Sequence, residues 1–331
     1  MLGRALGRGW LVTALILAAC GGDGQAVTPC RPASEPRFLL TSEDGISEMR
    51  ADGSRRLILG WRDETYPLDP SVSPDCTRVA FALQPPAKPL PDGNVDFGSD
   101  LALAGIDGKG PRILAKHQRV AEFLRAPAWL SESELLYTYR GRGPNGLPDL
   151  RIERLDLKTG ASRRYIESAI DAAVSPDRGL LVYVAIDPLT QAETLTVASA
   201  DLRGARAVAG AANNLALFSG QTFSPDGSKI AFAAVDISQP LQGGALPVRP
   251  GGTFAWHPFA QDIWLVNSDG TGLRRLSEIA ENMPSIAWSA DGAFVYVLGP
   301  GAFWRIDTAT GLAVKLAAGV PLGQIALLAG R

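Results

Sequence analysis

The chain has 331 residues, 46% of them apolar and 20% charged, so a packed core is within reach and global disorder is excluded. A formal net charge of −2, with no long basic run, argues against a nucleic-acid binder, and two His leave little for metal or general-base chemistry. Thirty-six Gly and 24 Pro point instead to many tight turns.

The chain opens on an address label. Arg4 and Arg8 precede an apolar stretch from Trp10 to Ala19, too short to span a bilayer but suited to the apolar core of an export signal. Its ending, Leu17-Ala18-Ala19-Cys20, resembles the lipobox of bacterial lipoproteins. That resemblance implies cleavage of residues 1–19 and acylation of Cys20, with 20–36 as a tether beginning Gly21-Gly22-Asp23-Gly24. An ordinary secretory signal with an incidental Cys is the alternative. Gly21 rather than Asp behind the acylated Cys would favour the outer membrane of a Gram-negative cell, so the protein is expected to be exported, membrane-anchored, and to face the periplasm or the cell surface. Cys30 and Cys76 then lie in an oxidising compartment, where they are expected to pair. The bridge would stabilise by roughly 4 kcal/mol in the chain-entropy model. Free thiols are the alternative.

From residue 37 onward two signatures alternate. One is Ser73-Pro74-Asp75-Cys76, returning as Ser175-Pro176-Asp177-Arg178, Ser224-Pro225-Asp226-Gly227 and Ser289-Ala290-Asp291-Gly292, with a degenerate copy at Ser131–Glu134. Each precedes a β-rich run such as Val79-Ala80-Phe81-Ala82 or Ile230-Ala231-Phe232-Ala233, and several follow an aromatic residue: Trp129, Phe223, Trp288. The other is a hairpin turn at Asp52-Gly53, Asp107-Gly108, Asp156, Asp201, Asp269-Gly270 and Asp307. Asp-Gly between apolar strands signals a two-residue hairpin with both residues at positive φ. Six turns mean six repeats.

The spacing between signatures is informative. From a turn Asp to the next signature Ser the gap is 19 to 24 residues, but from that Ser to its own turn Asp it is 18 to 45. With the strands of a repeat named a to d, the first signature joins a to b and the Asp turn joins c to d. The variable pieces, 84–100, 140–149, 186–193 and 236–262, therefore fall between b and c. No window of about 11–18 residues after the signal, residues 1–19, has a clear helical period, so the expectation is all-β. The first repeat lacks strand a, and Gln324–Gly330 can supply it, closing a ring of six four-stranded antiparallel blades. The expected propeller, 37–331, has blades near 37–59 plus 322–330, 70–116, 126–167, 171–210, 221–277 and 284–317.

Ser224-Pro225-Asp226-Gly227-Ser228-Lys229-Ile230-Ala231-Phe232, followed by Asp262-Ile263-Trp264 and Ser268-Asp269-Gly270-Thr271, resembles the WD40-like (PD40) repeats of TolB-like six-bladed β-propellers. The resemblance covers nearly all of 37–331. It implies a periplasmic protein that binds partners of the cell envelope, although the sequence leaves no helical room for the extra N-terminal domain of TolB itself.

No catalytic constellation stands out. The Gly-x-Ser-x-Gly elbow of Ser hydrolases is absent, and His117, in a connector after an outer strand, is expected to be solvated. Asn267–Gly272 lacks the later ligands of a calcium loop, and no metal or cofactor is expected. The 236–262 insertion is different: Phe254, Trp256, His257 and Phe259 crowd together near Arg249. Loop aromatics and Arg are the material of binding hot spots, though they can equally plug a channel. Consecutive loops of a meander alternate between faces, so all four insertions share one rim. Binding is therefore expected there, centred on Trp256 and His257, with Arg140, Arg142 and Phe97. The leading reading is a non-catalytic, lipid-anchored binding propeller for an envelope protein or extracellular ligand. The alternatives are a glycan hydrolase or lyase using funnel carboxylates such as Asp187, Asp236 and Asp262, and a purely structural lipoprotein.

Overall fold

In the computed structural model the described residues are 35–61, 64–91, 93, 95–144, 146–238, 259–300 and 302–328. They form six four-stranded antiparallel sheets arranged as a ring of blades. Blade 1 has strand a at Gly323–Leu328 and strands b, c and d at Arg37–Ser42, Gly45–Arg50 and Arg55–Leu59. Blade 2 runs Tyr66–Val72, Arg78–Gln84, Asp100–Gly105 and Arg112–Ala115; blade 3 runs Phe123–Ser131, Glu134–Arg142, Pro148–Asp156 and Ser162–Glu167. Blade 4 comprises Ala169–Val174, Leu180–Ile186, Glu193–Ser199 and Arg206–Gly210, and blade 5 Leu215–Phe223, Lys229–Asp236, Gln261–Asn267 and Arg274–Glu281. Blade 6 is Ser285–Trp288, Phe294–Leu298, Ala302–Asp307 and Ala313–Ala318. The expected closure holds: the C-terminal strand pairs with strand b of blade 1, Phe38 opposite Leu327 and Thr41 opposite Gln324. The variable pieces open from the ends of strands b, as expected; that of blade 2 adds a ribbon, Lys88–Pro89 against Val95–Asp96. Among the described residues no helix is long and apolar enough to cross a membrane.

The core is divided among the blade interfaces, because each sheet buries both faces against its neighbours. In strand b, Ile230, Phe232 and Ala234 pack on blade 4, whereas Ala231 and Ala233 face blade 6. Blade 2 repeats the pattern, Val79 and Phe81 facing blade 1 and Ala80 facing blade 3. The Ala side makes room for a Trp from the next blade: Trp129 packs in the cluster of Ala80, and Trp288 in that of Ala231. Each indole donates back across the interface, Trp129 to Ser71 O at 3.0 Å and Trp288 to Thr222 O at 3.1 Å. Volume is matched from blade to blade, and the one polar atom of each ring is satisfied.

The signatures are self-contained turns. In each full copy the Ser hydroxyl donates to the Asp two residues on, at 2.5 to 2.6 Å. That Asp accepts the N–H two residues further, and the Ser oxygen accepts the N–H of residue five. These bonds hold the signature carboxyls below the usual range, that of Asp226 at about 2, with the Ser224 hydroxyl as the first cause. The position after Asp is left-handed whatever its residue: Cys76, Arg178, Gly227 and Gly292 have φ of 56°, 62°, 72° and 72°. Cys76 is buried and disulfide-bonded; its expected partner, Cys30, lies outside the described residues, as does Cys20.

The hairpin turns differ from the two-residue expectation. Gly53 N–H bonds Arg50 O and Arg50 N–H bonds Ser54 O, so three residues form the loop and Gly53 alone, not Asp52, takes positive φ, 83°. The Asp carboxylate instead accepts the Ser54 N–H at 2.9 Å. Blade 4 uses Leu202, φ 67°, at the Gly position.

Candidate functional site

Strands b and c, and strands d and the following a, are joined on one face, called here the insertion face. The signatures and hairpin turns occupy the opposite one. On the insertion face the strands a of blades 2 to 5 carry a kink. Four residues before the signature Ser, Asp69, Asp171 and Gly220 are left-handed, with φ of 53°, 53° and 62°, and Ala126 does the same in blade 3 at 48°. The ladder slips there, between Leu68 and Ser71 and between Ile170 and Ala173, so the bulged residue is turned out of its own sheet toward a neighbouring blade.

In blades 2 and 4 those positions carry an acid, and in blade 3 Arg125 stands just before Ala126. Arg125 grips Asp69 with Nε at 2.5 Å and Nη2 at 3.1 Å, and Ala126 N–H adds a third bond at 2.9 Å. Burial pushes the Asp69 carboxyl up, but Arg125 and the Ala126 N–H outweigh it and hold the group below the usual carboxylate range. Burial likewise opposes the Arg125 charge, and Asp69, with Asp171 behind it, more than restores it. Arg140 Nη2 lies 3.2 Å from Asp171, whose backbone N–H donates to Thr138 at 2.7 Å. Gln221 from blade 5 donates to the Asp171 carbonyl. Beside this cluster Glu193 accepts the Phe218 N–H at 2.9 Å; burial, reinforced by Asp171, raises its carboxyl above the usual range. The other half of the ring is neutral there, with Gly220, Ser285 and Gln324, the last accepting the Asp69 N–H at 3.0 Å. The result is an insertion face whose inner rim alternates acid and base over three blades, with fixed geometry.

The expected site residues separate. Arg140 belongs to this cluster. Arg142, two residues on, is exposed at the end of the same strand. Phe97 packs on Phe123 of blade 3, ring centroids 5.8 Å apart, so it pins its own insertion to the next blade. Phe259 is half-buried just before strand c of blade 5, while Phe254, Trp256 and His257 lie outside the described residues. Asp187, Asp236 and Asp262 do not converge: the first two accept hydrogen bonds within their own loops, and Asp262 pairs with Arg275 at 3.1 Å. His117 is not solvated. Its Nδ1 is 2.6 Å from Asp100 and its Nε2 3.6 Å from Asp96, because the blade 2 insertion folds back over the connector. Next to it Glu122 takes the Gln118 N–H and the Tyr139 hydroxyl, the latter at 2.5 Å. Asp69, Arg125, Asp171 and Glu193 were missed, although a signal existed: two acids share the register four residues ahead of the signature Ser. Among the described residues no cluster of three His, Cys, Asp or Glu could hold a metal ion.

No protein-family model matches the sequence, and no curated protein matches it. Solved structures do. TolB from Acinetobacter baumannii superposes with a TM-score of 0.59 at 16% identity, over 88% of this chain and 66% of that one, so the present chain spans just under two thirds of its length. A chain of a nidogen/laminin complex matches with a TM-score of 0.62 at 12% identity, over 88% of this chain and 98% of its own. An oligogalacturonate lyase in complex with manganese matches at 0.51 and 15% identity, over 85% of this chain and 74% of the lyase. At such identities the likeness carries the architecture and no activity, and on that footing the chain is a six-bladed β-propeller with the TolB-like fold.

Proposed function

We propose that the chain is a non-catalytic binding propeller of a bacterial cell envelope, held to the membrane through an acylated Cys20 and engaging a protein partner or extracellular ligand with its insertion face. The observation that carries this reading is the asymmetry of the two faces. The charged inner rim of Asp69, Arg125, Asp171 and Arg140 and the strand ends from which the long insertions open lie on one side, and among the described residues the other side has short turns closed on themselves. Long loops presented by a rigid scaffold are seldom kept for connection alone. The carboxylates of the rim are paired with Arg, which suits recognition better than proton transfer.

The test is affinity capture from membranes with the acylated protein. Trp256→Ala is expected to weaken capture of the recovered partner by about 1–3 kcal/mol with an unchanged melting temperature. Full affinity combined with early melting would make the 236–262 loop a plug and overturn the assignment. In the same preparation Cys20→Ser should abolish incorporation of labelled palmitate; continued labelling would refute the anchor. A second reading, a glycan-acting enzyme, draws on Glu193, an acid of raised pKa beside Asp171. Turnover of an oligosaccharide that is lost in both Glu193→Gln and Asp171→Asn would favour it.

A further inference from the structure

The propeller is electrically polar along its axis. In each of blades 1 to 5 the stretch from the end of strand c into the start of strand d carries one aspartate against two or three Lys or Arg. In blade 5, for example, Asp269 stands against Arg274 and Arg275. The outer strands open on exposed arginines, among them Arg56, Arg112, Arg163 and Arg206. The aspartates of these turns are engaged by their own backbone N–H groups, as Asp107 is by Lys109 and Asp156 by Lys158. At the other ends of the blades the balance reverses: Glu43, Asp44, Glu64, Glu167, Glu278 and Glu281 sit in or beside the loops of the insertion face. A chain of near-zero net charge thus has a basic outer rim on the signature face and an acidic insertion face.

The N-terminal segment joins the propeller on the basic side. Strand b of blade 1 starts at Arg37, and strands b start on the signature face. Cys76, which is disulfide-bonded, lies in the signature turn of blade 2 on that same face. A flexible tether of the length of 20–36 has a root-mean-square span of only about 20–25 Å. Pairing of Cys30 with Cys76 would shorten it further.

We infer that the arginine rim of the signature face is a docking surface for anionic lipid phosphates, so that the ring stands on the membrane by its short turns and holds the insertion face away from it. The inference rests on the proposed anchor at Cys20 for its biological setting, but the rim is a property of the folded ring. Guanidinium groups suit phosphate oxygens, and basic residues held near an anionic surface add their attractions within a Debye length. An acid-rich insertion face would be repelled by the same surface, which favours a single orientation.

The test uses protein lacking residues 1–20, hence unacylated, whose ring closes within residues 37–328. It is sedimented with vesicles of phosphatidylcholine alone or of phosphatidylcholine with phosphatidylglycerol. Binding to the anionic vesicles is expected to exceed that to neutral ones at least tenfold at low salt and to vanish at high salt. The rim variant Arg112→Glu/Lys158→Glu/Arg163→Glu should lose at least tenfold. A control with reversals on the insertion-face connector, Lys116→Glu/Arg119→Glu, should bind as the parent does, with folding of all proteins checked by circular dichroism. Equal binding to both vesicle types, no binding to either, or equal losses in rim variant and control would overturn the inference. Failure of the anchor reading would show separately, in palmitate labelling of the full chain, and would leave the vesicle result standing.

Discussion

Trp288→Phe offers a sharp check on how the blades are held together. The indole of Trp288 is 5% exposed at the interface of blades 5 and 6, among Ala231, Ala233, Ile263 and Val295, and its N–H reaches Thr222 O at 3.1 Å. A phenyl ring keeps most of the contact but cannot donate. The lost bond, with its buried carbonyl left unpaired, should cost about 1–2 kcal/mol, and the smaller ring about 0.5–1 kcal/mol of burial. The expected total is about 2 kcal/mol. Trp288→Ala, which empties the site facing the two alanines, should cost about 3–5 kcal/mol. Guanidinium unfolding followed by far-ultraviolet circular dichroism measures both, as midpoint shifts at unchanged slope. Trp129→Phe should behave alike, because its N–H meets Ser71 O at 3.0 Å between blades 2 and 3. The two changes sit at separate interfaces and should add. A cost under about 0.5 kcal/mol for Trp288→Phe, or equal costs for Phe and Ala, would refute the argument that the hydrogen bond and the Ala–Trp fit act separately.

Gly311→Ala is expected to destabilise far more than Gly160→Ala. Both positions have positive φ, 76° and 72°, but a Cβ at Gly311 would stand 2.3 Å from Leu276 O of the preceding blade while that at Gly160 meets nothing within 4 Å. Thermal melts should therefore show a cost of about 1 kcal/mol for Gly160→Ala and at least twice that for Gly311→Ala. Glu193→Gln should stabilise at pH 7 and be neutral at pH 3.5. A carboxyl whose folded pKa is raised costs the native state nothing while it is protonated in both states and increasingly more as pH climbs above its unfolded pKa; Gln can still accept the Phe218 N–H. Denaturation midpoints at the two pH values decide it, and a variant destabilised at pH 7 would show that the carboxylate itself is needed.

The ring was legible because its determinants are local. A Ser-Pro-Asp turn in three places and a Ser-Ala-Asp turn in a fourth close on their own backbone in the same way, so the motif specifies the same corner wherever it occurs. The Asp turns mark the next corner, and the nearly constant spacing from each Asp turn to the following signature Ser counts the blades. Even the packing partly showed: Val-Ala-Phe-Ala and Ile-Ala-Phe-Ala alternate large and small residues, and the Trp of the following blade fits the small side. The C-terminal strand could be assigned to blade 1 because a sheet with three strands leaves one edge open, and only one spare strand existed to fill it.

Tertiary structure decided the rest. Solvation of His117 was the expectation from a polar connector, yet the blade 2 insertion brings Asp96 and Asp100 to it from across the loop. Asp187, Asp236 and Asp262 flank insertions in sequence but are consumed by their own loops and by Arg275. The inner rim is built from pairs far apart in the chain, Asp69 with Arg125 and Arg140 with Asp171, each joining neighbouring blades. No local pattern contains such a pair, because what brings the partners together is the curvature of the ring. A turn motif sees its own five residues, so sequence alone determines corners, strands and blade count. Which charges meet depends on how neighbouring blades are stacked against each other, and only closure of all six around one axis sets that.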